Sequence, residues 1–201
     1  DFLKWRLPEE QYKVFSNIPF NMTADIVRKL TEDGNPPELA YLIMQDKAAS
    51  RFMGKPKDSQ TSILLKPWFE IEIIANINGR EFTPVPKVNA VLAEFRKRKQ
   101  PLIEPQNRQW FRDFVVYGYN QWQPNILDAF RDVFSPRQRS ILERESGIKS
   151  TKPSELTLEQ WLKLFKTFTT YVPSEKKEVV RGAEEKLKRQ QQTLRKWHRT
   201  R

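Results

Sequence analysis

The chain of 201 residues contains no cysteine and a single histidine, His198. The lack of cysteine excludes disulfide bonds and thiol catalysis, and it is compatible with a cytoplasmic protein. One histidine argues against a histidine-based metal site or catalytic triad, so we expect no metal ion.

The sequence also lacks long apolar runs and glycine-rich loops. No stretch of about 18 apolar residues occurs, so we expect neither a transmembrane helix nor a membrane partner. No signal peptide is visible. None of the six glycines belongs to a Gly-x-Gly pair, so a glycine-rich nucleotide loop is missing from these residues. Because the chain starts at Asp1 without Met, we expect it to be the C-terminal part of a longer protein.

Positive charge is abundant. There are 36 Lys and Arg against 25 Asp and Glu, which gives a net charge of +11 and a pI near 9.8. This balance favours a polyanionic partner, either nucleic acid or an anionic membrane surface. The alternative interpretation is a generally basic protein without such a partner. With 38% hydrophobic and 12% aromatic residues, we expect a globular fold.

The most informative stretch is Asn17-Ile18-Pro19-Phe20. It ends a predicted strand over residues 12–18 and precedes a helical pattern over residues 23–30, so it lies where open α/β sheets bind ligands. The Asn17 amide accepts a hydrogen bond, Pro19 leaves the Ile18 carbonyl outside any helix, and Phe20 offers an apolar face to a flat ring. The alternative interpretation is an ordinary strand-to-helix turn.

The rest of the pattern divides the chain at residues 100 and 173. Residues 1–100 form an α/β domain with further strands predicted over 39–44, 69–73 and 88–95, the last two as an antiparallel hairpin. A short helix over 46–52, a polar loop over 55–62 and a helical segment over 63–68 complete it. Residues 101–173 are predicted to be an all-helical domain rich in aromatic residues. Residues 174–201 are predicted to be a basic tail with ten Lys and Arg against four Glu.

Four motifs together resemble those of a known enzyme family. Asn17 to Phe20 resemble motif IV of the adenine N6-methyltransferases, and Asp1-Phe2-Leu3 resemble the acidic strand end that meets the methyl donor. Residues 45–51 resemble the Gln-x-x-x-Ala-x-Arg segment of rRNA adenine dimethyltransferases. Residues 82–89 resemble their Phe-x-Pro-x-Pro-x-Val-x-Ser segment, with Asn89 in place of the usual Ser. Ile18 and the helical C-terminal part are similar to the erythromycin-resistance (Erm) methyltransferases, since the small-subunit dimethyltransferases usually carry Leu there.

The resemblance implies the C-terminal half of a class I (Rossmann-like) methyltransferase sheet with an antiparallel edge hairpin, followed by a small all-α domain. It implies N6-methylation of an adenine in 23S rRNA by S-adenosylmethionine, before ribosome assembly is complete, by a monomer. The result would be resistance to macrolides, lincosamides and streptogramin B. The alternatives are a small-subunit rRNA adenine dimethyltransferase and a non-catalytic RNA-binding relative. Because the family's glycine-rich donor loop precedes its Asp-Phe-Leu, this chain alone is expected to be inactive.

The resemblance also implies roles for single residues. Asn17 and the Ile18 carbonyl accept from the adenine amino group, and Pro19 completes the motif. Phe20 and Phe82 stack on the two faces of the base, while Asp1 and Asn17 contribute to the donor site. Arg51 is implied to contact RNA phosphate. Their positive charge predicts that further residues contact RNA, namely Arg96, Lys97, Arg98, Lys99, Lys186, Lys188, Arg189, Arg195 and Lys196. The alternative interpretation is that these residues form a solvated surface.

Overall fold

The computed structural model describes residues 1–78, 80, 88–148 and 151–199, with side chains as far as Thr193. The chain forms two compact units, residues 1–102 and residues 103–201. The first unit contains all four strands, which are β1 (Lys13–Asn17), β2 (Leu39–Gln45), β3 (Phe69–Ile77) and β4 (Ala90–Lys97). Its helices are α1 (Thr23–Glu32), α2 (Asp46–Met53) and α3 (Gln60–Leu65).

The four strands form one mixed sheet in the order β1-β2-β4-β3. β1 and β2 are parallel, with Asn17 opposite Ile43, whereas β4 runs antiparallel to both β2 and β3, with Leu92 opposite Ile43. The predicted antiparallel edge hairpin is therefore confirmed. The strand ends define two further borders of the sheet, distinct from the lateral edge formed by β3. We call the border at the carboxyl ends of β1 and β2 the front edge, and the border at their amino ends the rear edge.

One face of the sheet carries the core of the first unit. Alternate residues of β2 and β4, including Leu42, Met44 and Ala93, are at most 1% exposed, and α2 contacts β2, β3 and β4 on the same unit. The other face is more open, and Phe15 on β1 is 72% exposed. This alternation is what a strand with one buried face produces.

The segment predicted to be a loop over residues 55–62 is partly helical, because α3 begins at Gln60. Ser59 accepts a hydrogen bond from the Ser62 amide, and the Ser62 side chain accepts one from the Ser59 amide. This reciprocal capping box satisfies two amides at the start of the helix. The sequence signal was Ser-x-x-Ser, in which Ser replaces the more usual Glu or Gln at the third helical position.

The second unit is helical, and its core is built from aromatic rings. Its helices are α4 (Arg108–Tyr119), α5 (Ile126–Ala129), α6 (Pro136–Ser146), α7 (Leu158–Tyr171), α8 (Ser174–Lys177) and α9 (Ala183–Arg199). The fully buried Phe114 of α4 lies 4.4 Å from the Phe130 ring and 4.9 Å from the Phe168 ring. Gly118 lies where a Cβ atom would come within 2.8 Å of both Phe130 and Trp161. The absent side chain lets the rings approach α4 closely.

The first half of the predicted basic tail over residues 174–201 packs against the rest of the helical unit. Val180 is completely buried, and the Arg181 guanidinium lies 5.1 Å from the centre of the Trp110 ring. Asp113 on α4 accepts hydrogen bonds of 3.0 Å from the Gly182 and Glu184 amides at the start of α9. The physical reason is that Asp113 caps α9 and fixes it to α4, which the local sequence around residue 174 does not reveal.

Two kinds of feature are absent from the described residues. No helix among them is long and apolar enough to span a bilayer. No group of three or more His, Cys, Asp or Glu side chains among them is arranged to hold a metal ion.

Candidate active site

The front edge carries two consecutive residues, Asn17 and Ile18, that each hold a hydrogen-bond acceptor. Asn17 is the last residue of β1 and its side chain is exposed, while Ile18 is 4% exposed. The Ile18 amide donates to the Ile43 carbonyl at 3.2 Å, so the β1–β2 ladder continues one residue past the strand. Within the described residues, neither the Asn17 side chain nor the Ile18 carbonyl makes a hydrogen bond. Both are therefore available to an amino group.

The turn after Ile18 fixes the position of Phe20. The Pro19 carbonyl accepts from the Met22 amide at 2.9 Å, and the Phe20 carbonyl accepts from the Thr23 hydroxyl at 3.1 Å. Thr23 is buried and is the first residue of α1 rather than its N-cap, which is Met22. Phe20 is half-buried at the start of a short 3-10 turn. Its backbone is therefore held, while part of its ring remains accessible.

The β3–β4 connection also starts and ends at the front edge. Ile77 is opposite Ala90, and the carbonyl of Asn89 accepts a hydrogen bond of 3.0 Å from the Asp46 amide at the start of α2. Phe82 belongs to this connection but lies outside the described residues. Its role as the second stacking residue stays a prediction.

Asp1 begins a short 3-10 turn, Phe2–Lys4, that packs on α1. Its side chain is exposed, and one carboxylate oxygen accepts from the Leu3 amide at 3.0 Å. A carboxylate that caps its own turn still has acceptor capacity for a donor group. The assignment of Asp1 to the methyl-donor site stays a prediction.

In the first unit, the basic residues Arg96 to Lys99 lie at the end of the sheet opposite the candidate active site. Arg51 lies in the last turn of α2, which starts at that edge, and its side chain is exposed. Arg96 is opposite Leu39, and Leu39 is opposite Lys13, so β4 ends at the rear edge. Four residues of strand separate Lys13 from Asn17, a distance of about 13 Å. Lys97, Arg98 and Lys99 therefore lie at the rear edge, away from the candidate active site.

The basic residues predicted on the tail differ in their surroundings. Lys188 pairs with Glu184 at 2.8 Å, and Arg189 pairs with Glu185. Lys186 is exposed and has no ion-pair partner among the described residues. Arg195 and Lys196 continue α9, but their side chains lie outside the described residues. Two of the three cations seen in full are thus already matched by carboxylates.

Sequence reasoning missed one basic residue at the rear edge, Lys13. It begins β1 and lines the same cleft as Lys97 and Lys99. The only signal was a lysine at the start of an apolar strand, which is also an ordinary solvated position. Whether Lys13 contributes to a basic site depends on which other strand ends lie beside it, and only the sheet topology determines that.

The sheet and the acceptors at its front edge define the class of protein. Two parallel strands followed by an antiparallel hairpin, with an Asn-x-Pro-Phe turn after the first strand, are the C-terminal part of a class I methyltransferase sheet. Residues 1–170 match the family described as ribosomal RNA adenine dimethylase. The chain therefore belongs to the ribosomal RNA adenine dimethylase family.

Individual relatives agree with this membership. An rRNA adenine N-6-methyltransferase of Bacillus licheniformis is 30% identical over 176 residues, which cover 86% of this chain and 61% of the relative. A ribosomal RNA small subunit methyltransferase A of Oceanobacillus iheyensis is 24% identical over 170 residues, which cover 81% of this chain and 58% of the relative. The chain thus spans about three fifths of the length of these relatives.

Solved structures agree on the fold. The crystal structure of the 23S rRNA methyltransferase ErmE matches with a TM-score of 0.76 and 26% identity, covering 85% of this chain and 70% of that one. A dimethyladenosine transferase from Plasmodium falciparum matches with a TM-score of 0.65 and 16% identity, covering 83% of this chain and 70% of that one. The predicted fold class is confirmed.

The residues present fit only part of an S-adenosylmethionine site. Asp1 and Asn17 offer oxygen acceptors to an amino group, but the 201 residues contain no Gly-x-Gly loop. A glycine-rich loop is what lets a backbone approach such a ligand closely. These residues therefore do not provide a complete donor site.

Proposed function

We propose that this chain is the target-recognition part of an rRNA adenine N6-methyltransferase that uses S-adenosylmethionine and modifies 23S rRNA. One observation carries the proposal. At the front edge, the β1–β2 ladder extends to the Ile18 amide, and no described residue donates a hydrogen bond to the Asn17 side chain or to the Ile18 carbonyl. Paired acceptors of this kind suit an exocyclic amino group with two N–H donors.

In the proposed reaction, the target adenine leaves its stack and enters the front edge. Its N6 amino group donates one hydrogen bond to the Asn17 side chain and one to the Ile18 carbonyl. Both N–H bonds are then directed into the protein, and the nitrogen lone pair is directed away from it. Phe20, fixed by the turn at Pro19, stacks on the base. S-adenosylmethionine supplies an already activated methyl group, so the positioning of the nitrogen supplies most of the catalysis.

Two comparisons favour 23S rRNA over the small-subunit rRNA as the substrate. The Bacillus licheniformis relative is more similar than the small-subunit methyltransferase from Oceanobacillus iheyensis, at 30% against 24% identity. The 23S rRNA methyltransferase ErmE matches with a TM-score of 0.76 and 26% identity. We therefore propose that methylation blocks macrolide, lincosamide and streptogramin B binding to the ribosome. The enzyme acts in the cytoplasm as a monomer on 23S rRNA that is not yet fully assembled.

The second unit and the basic residues are proposed to hold the RNA. The proposed domain organisation has three parts. They are the catalytic part over residues 1–100, a helical RNA-binding domain over residues 101–173 and the basic tail over residues 174–201. The basic tail starts as part of the helical unit, because Val180 and Glu184 are buried against it. Phosphate contacts of Arg51, Lys186, Arg195 and Lys196 would position the RNA without selecting the base.

The test is methylation of rRNA by a protein that joins this chain to a methyl-donor half from a relative. Radioactive S-adenosylmethionine and transcripts of 23S and 16S rRNA are supplied separately, and the modified nucleotide is mapped by primer extension. We expect a stop at one adenine of 23S rRNA. Methylation of 16S rRNA alone would instead support the small-subunit activity. RNA binding without methylation of either transcript would support a non-catalytic relative.

A further inference from the structure

A cleft of about 940 Å³ opens at the rear edge of the sheet. Its walls include Lys13, Asn35, Glu38, Lys97, Lys99 and Gln100, and we call it the rear cleft. It belongs entirely to the first unit. Because Lys13 and Asn17 are the two ends of β1, the rear cleft and the candidate active site are about 13 Å apart along the strand.

The backbone that carries the rear cleft is held by hydrogen bonds from several segments. The Glu38 amide donates to the Tyr12 carbonyl at 3.0 Å, and the Lys97 amide donates to the Glu38 carbonyl at 2.9 Å. The Asn35 side chain donates to the carbonyls of Pro8 and Glu10 at 2.7 and 2.9 Å. The walls are therefore preorganised, and a ligand would not have to order them.

The charges of the rear cleft are unbalanced. Five basic side chains line it against two carboxylates. Arg98 is matched by Glu70 at 2.7 Å, and Arg96 is matched by Glu94 at 2.6 Å.

The three lysines of the cleft, Lys13, Lys97 and Lys99, differ from these arginines. None of them has an ion-pair partner among the described residues. All three are exposed, so their ammonium groups are available to an anion.

The basic residues of the rear cleft lie on β1 and β4, which are separated by β2. Lys13 and Arg96 are in register across β2, which places their Cα atoms about 10 Å apart. The cleft offers ammonium groups and amide side chains rather than an aromatic face. Such a site contacts phosphate and sugar and does not read bases.

We propose that the rear cleft binds the sugar-phosphate backbone of an rRNA segment other than the one that carries the target adenine. The proposal rests on the proposed function, because it takes RNA as the partner. It adds a second, sequence-independent contact on the opposite edge of the sheet. This contact would fix the orientation of a folded RNA on the protein while the front edge engages the base.

The first test compares two variants of the full chain that lose equal charge. One is Lys97→Ala/Lys99→Ala in the rear cleft, and the other is Lys4→Ala/Lys55→Ala on exposed positions outside it. Binding of a 23S rRNA transcript is titrated at several salt concentrations. Because each lost phosphate contact removes about 0.7 from the salt slope, the cleft variant should show a slope shallower by roughly 1.4 and an affinity roughly tenfold lower at 0.1 M salt. In the control variant, the changes in the salt slope and in the affinity should each be less than half as large.

A second variant is expected to increase RNA affinity, which loss of folding cannot do. Glu38→Gln removes a negative charge from the wall of the rear cleft but keeps the shape of the side chain. If phosphate enters the cleft, this variant should bind the transcript more tightly than the unchanged chain. Weaker or unchanged binding would contradict the proposal, because a misfolded protein does not gain affinity.

The absence of cysteine allows a direct test of location. Gln100→Cys in the rear cleft and Lys55→Cys outside it each provide a unique thiol for a photoactivated cross-linker. We expect Gln100→Cys to cross-link to the 23S rRNA transcript at nucleotides away from the methylated adenine, and Lys55→Cys to cross-link weakly. Equal cross-linking, or cross-linking to the target adenine itself, would overturn the assignment.

The outcomes separate the rear cleft from the proposed function. If the chain binds the transcript and the cleft and control variants behave alike, the rear cleft is refuted and the proposed function stands. If the chain binds no RNA at all, both fail. If tripolyphosphate at constant ionic strength displaces the transcript from the unchanged chain but not from Lys97→Ala/Lys99→Ala, the cleft recognises phosphate. Calorimetry could instead detect tripolyphosphate in the cleft while neither tripolyphosphate nor the Lys97→Ala/Lys99→Ala substitution changes RNA binding. In that case a small anion is the ligand and the proposal is overturned.

Discussion

Arg112 on α4 and Glu184 on α9 form a nearly buried ion pair. Arg112 Nη2 lies 2.6 Å from Glu184 Oε1, and Arg112 Nε lies 2.9 Å from Glu184 Oε2, so the pair is bidentate. Only 13% of the Arg112 side chain and 9% of the Glu184 side chain are exposed. This pair explains why the basic C-terminal helix starts as part of the helical unit. Bidentate geometry allows such a pair to offset the cost of burying its charges.

The first prediction concerns acid. Burial alone would raise the pKa of Glu184, but hydrogen bonds from Arg112 and Lys188 and the charge of Arg112 lower that pKa from 4.5 to about 2. A carboxylate whose pKa falls on folding stabilises the protein above its unfolded-state pKa and loses that effect as the pH falls through its folded-state pKa. The loss should therefore occur between about pH 4.5 and pH 2 and amount to about 3 kcal/mol.

Glu184→Gln should abolish this contribution to the pH dependence. We expect the free energy of unfolding to differ most between the unchanged chain and the variant above pH 5, and the difference to shrink toward pH 2. Urea titrations at several pH values measure it. Glu185→Gln is the matched control, because that neighbouring side chain is 67% exposed. Equal pH dependence for the two variants would contradict the assignment to the buried pair.

The second prediction concerns the aromatic core. In Gly118→Ala, the added methyl group would come within 2.8 Å of the Phe130 and Trp161 rings, and both rings are completely buried. Overpacking of this kind costs about 1–3 kcal/mol. Thermal unfolding of the helical unit should therefore shift to lower temperature. Gly34→Ala makes the same change where nothing lies within 4 Å, and it should be close to neutral. A neutral Gly118→Ala would mean that the core is looser than described.

The third prediction compares two truncations. Ending the chain after Pro173 removes the buried residues Val180 and Glu184 and breaks the bidentate pair of Glu184 with Arg112. Losing one partner of a buried pair costs on the order of 3–5 kcal/mol, so the helical unit should unfold at lower temperature. Ending it after Gln190 keeps these contacts and should leave thermal unfolding unchanged.

The deletion of residues 191–201 also tests whether the end of α9 binds RNA. It removes four basic residues, Arg195, Lys196, Arg199 and Arg201. If each contacts phosphate, the salt dependence of binding to a 23S rRNA transcript should become shallower by roughly 3. The methylated nucleotide should not change, because such contacts do not read bases. Identical salt slopes with and without residues 191–201 would show that this segment is only solvated.

How far the sequence predicts this structure depends on the range of the interactions involved. The turn at Asn17–Phe20 could be predicted because its signal is local, with an apolar strand before it, Pro19 within it and a helical pattern after it. The edge hairpin could be predicted for the same reason. The helix α3 was placed three residues late because the Ser59–Ser62 capping box is a weak sequence pattern.

The errors arose where one segment depends on a distant one. Asp113 and the Glu184 amide are 71 residues apart, so nothing near residue 174 indicates that the helix there is anchored. Arg96 to Lys99 were predicted as RNA contacts from their charge, and the sequence does not indicate which end of the sheet they occupy. Only the antiparallel direction of β4 shows that they lie at the rear edge. Sequence periodicity predicts a strand but not which end of it meets the site.

The last prediction concerns the front edge. In a methyltransferase that joins this chain to a methyl-donor half, Asn17→Ala removes one of the two acceptors for the target amino group. The Asn17 side chain is exposed and makes no hydrogen bond within the described residues, so the substitution should leave the stability of the sheet unchanged. An acceptor that directs the reacting nitrogen contributes chiefly in the transition state. We therefore expect the rate of methyl transfer to fall by on the order of 100-fold, the scale of losing one positioned polar group.

Affinity for the 23S rRNA transcript should change little in Asn17→Ala, because phosphate contacts elsewhere supply most of it. Asn21→Ala is the matched control, since Asn21 is an exposed asparagine in the turn that follows Pro19. If the turn matters only as structure, the two variants should slow the reaction equally. If Asn17 accepts from the amino group, only Asn17→Ala should slow it. Single-turnover methylation with saturating RNA isolates the chemical step, and RNA titration measures binding. A parallel loss of rate and RNA affinity in Asn17→Ala would refute the role assigned to this side chain.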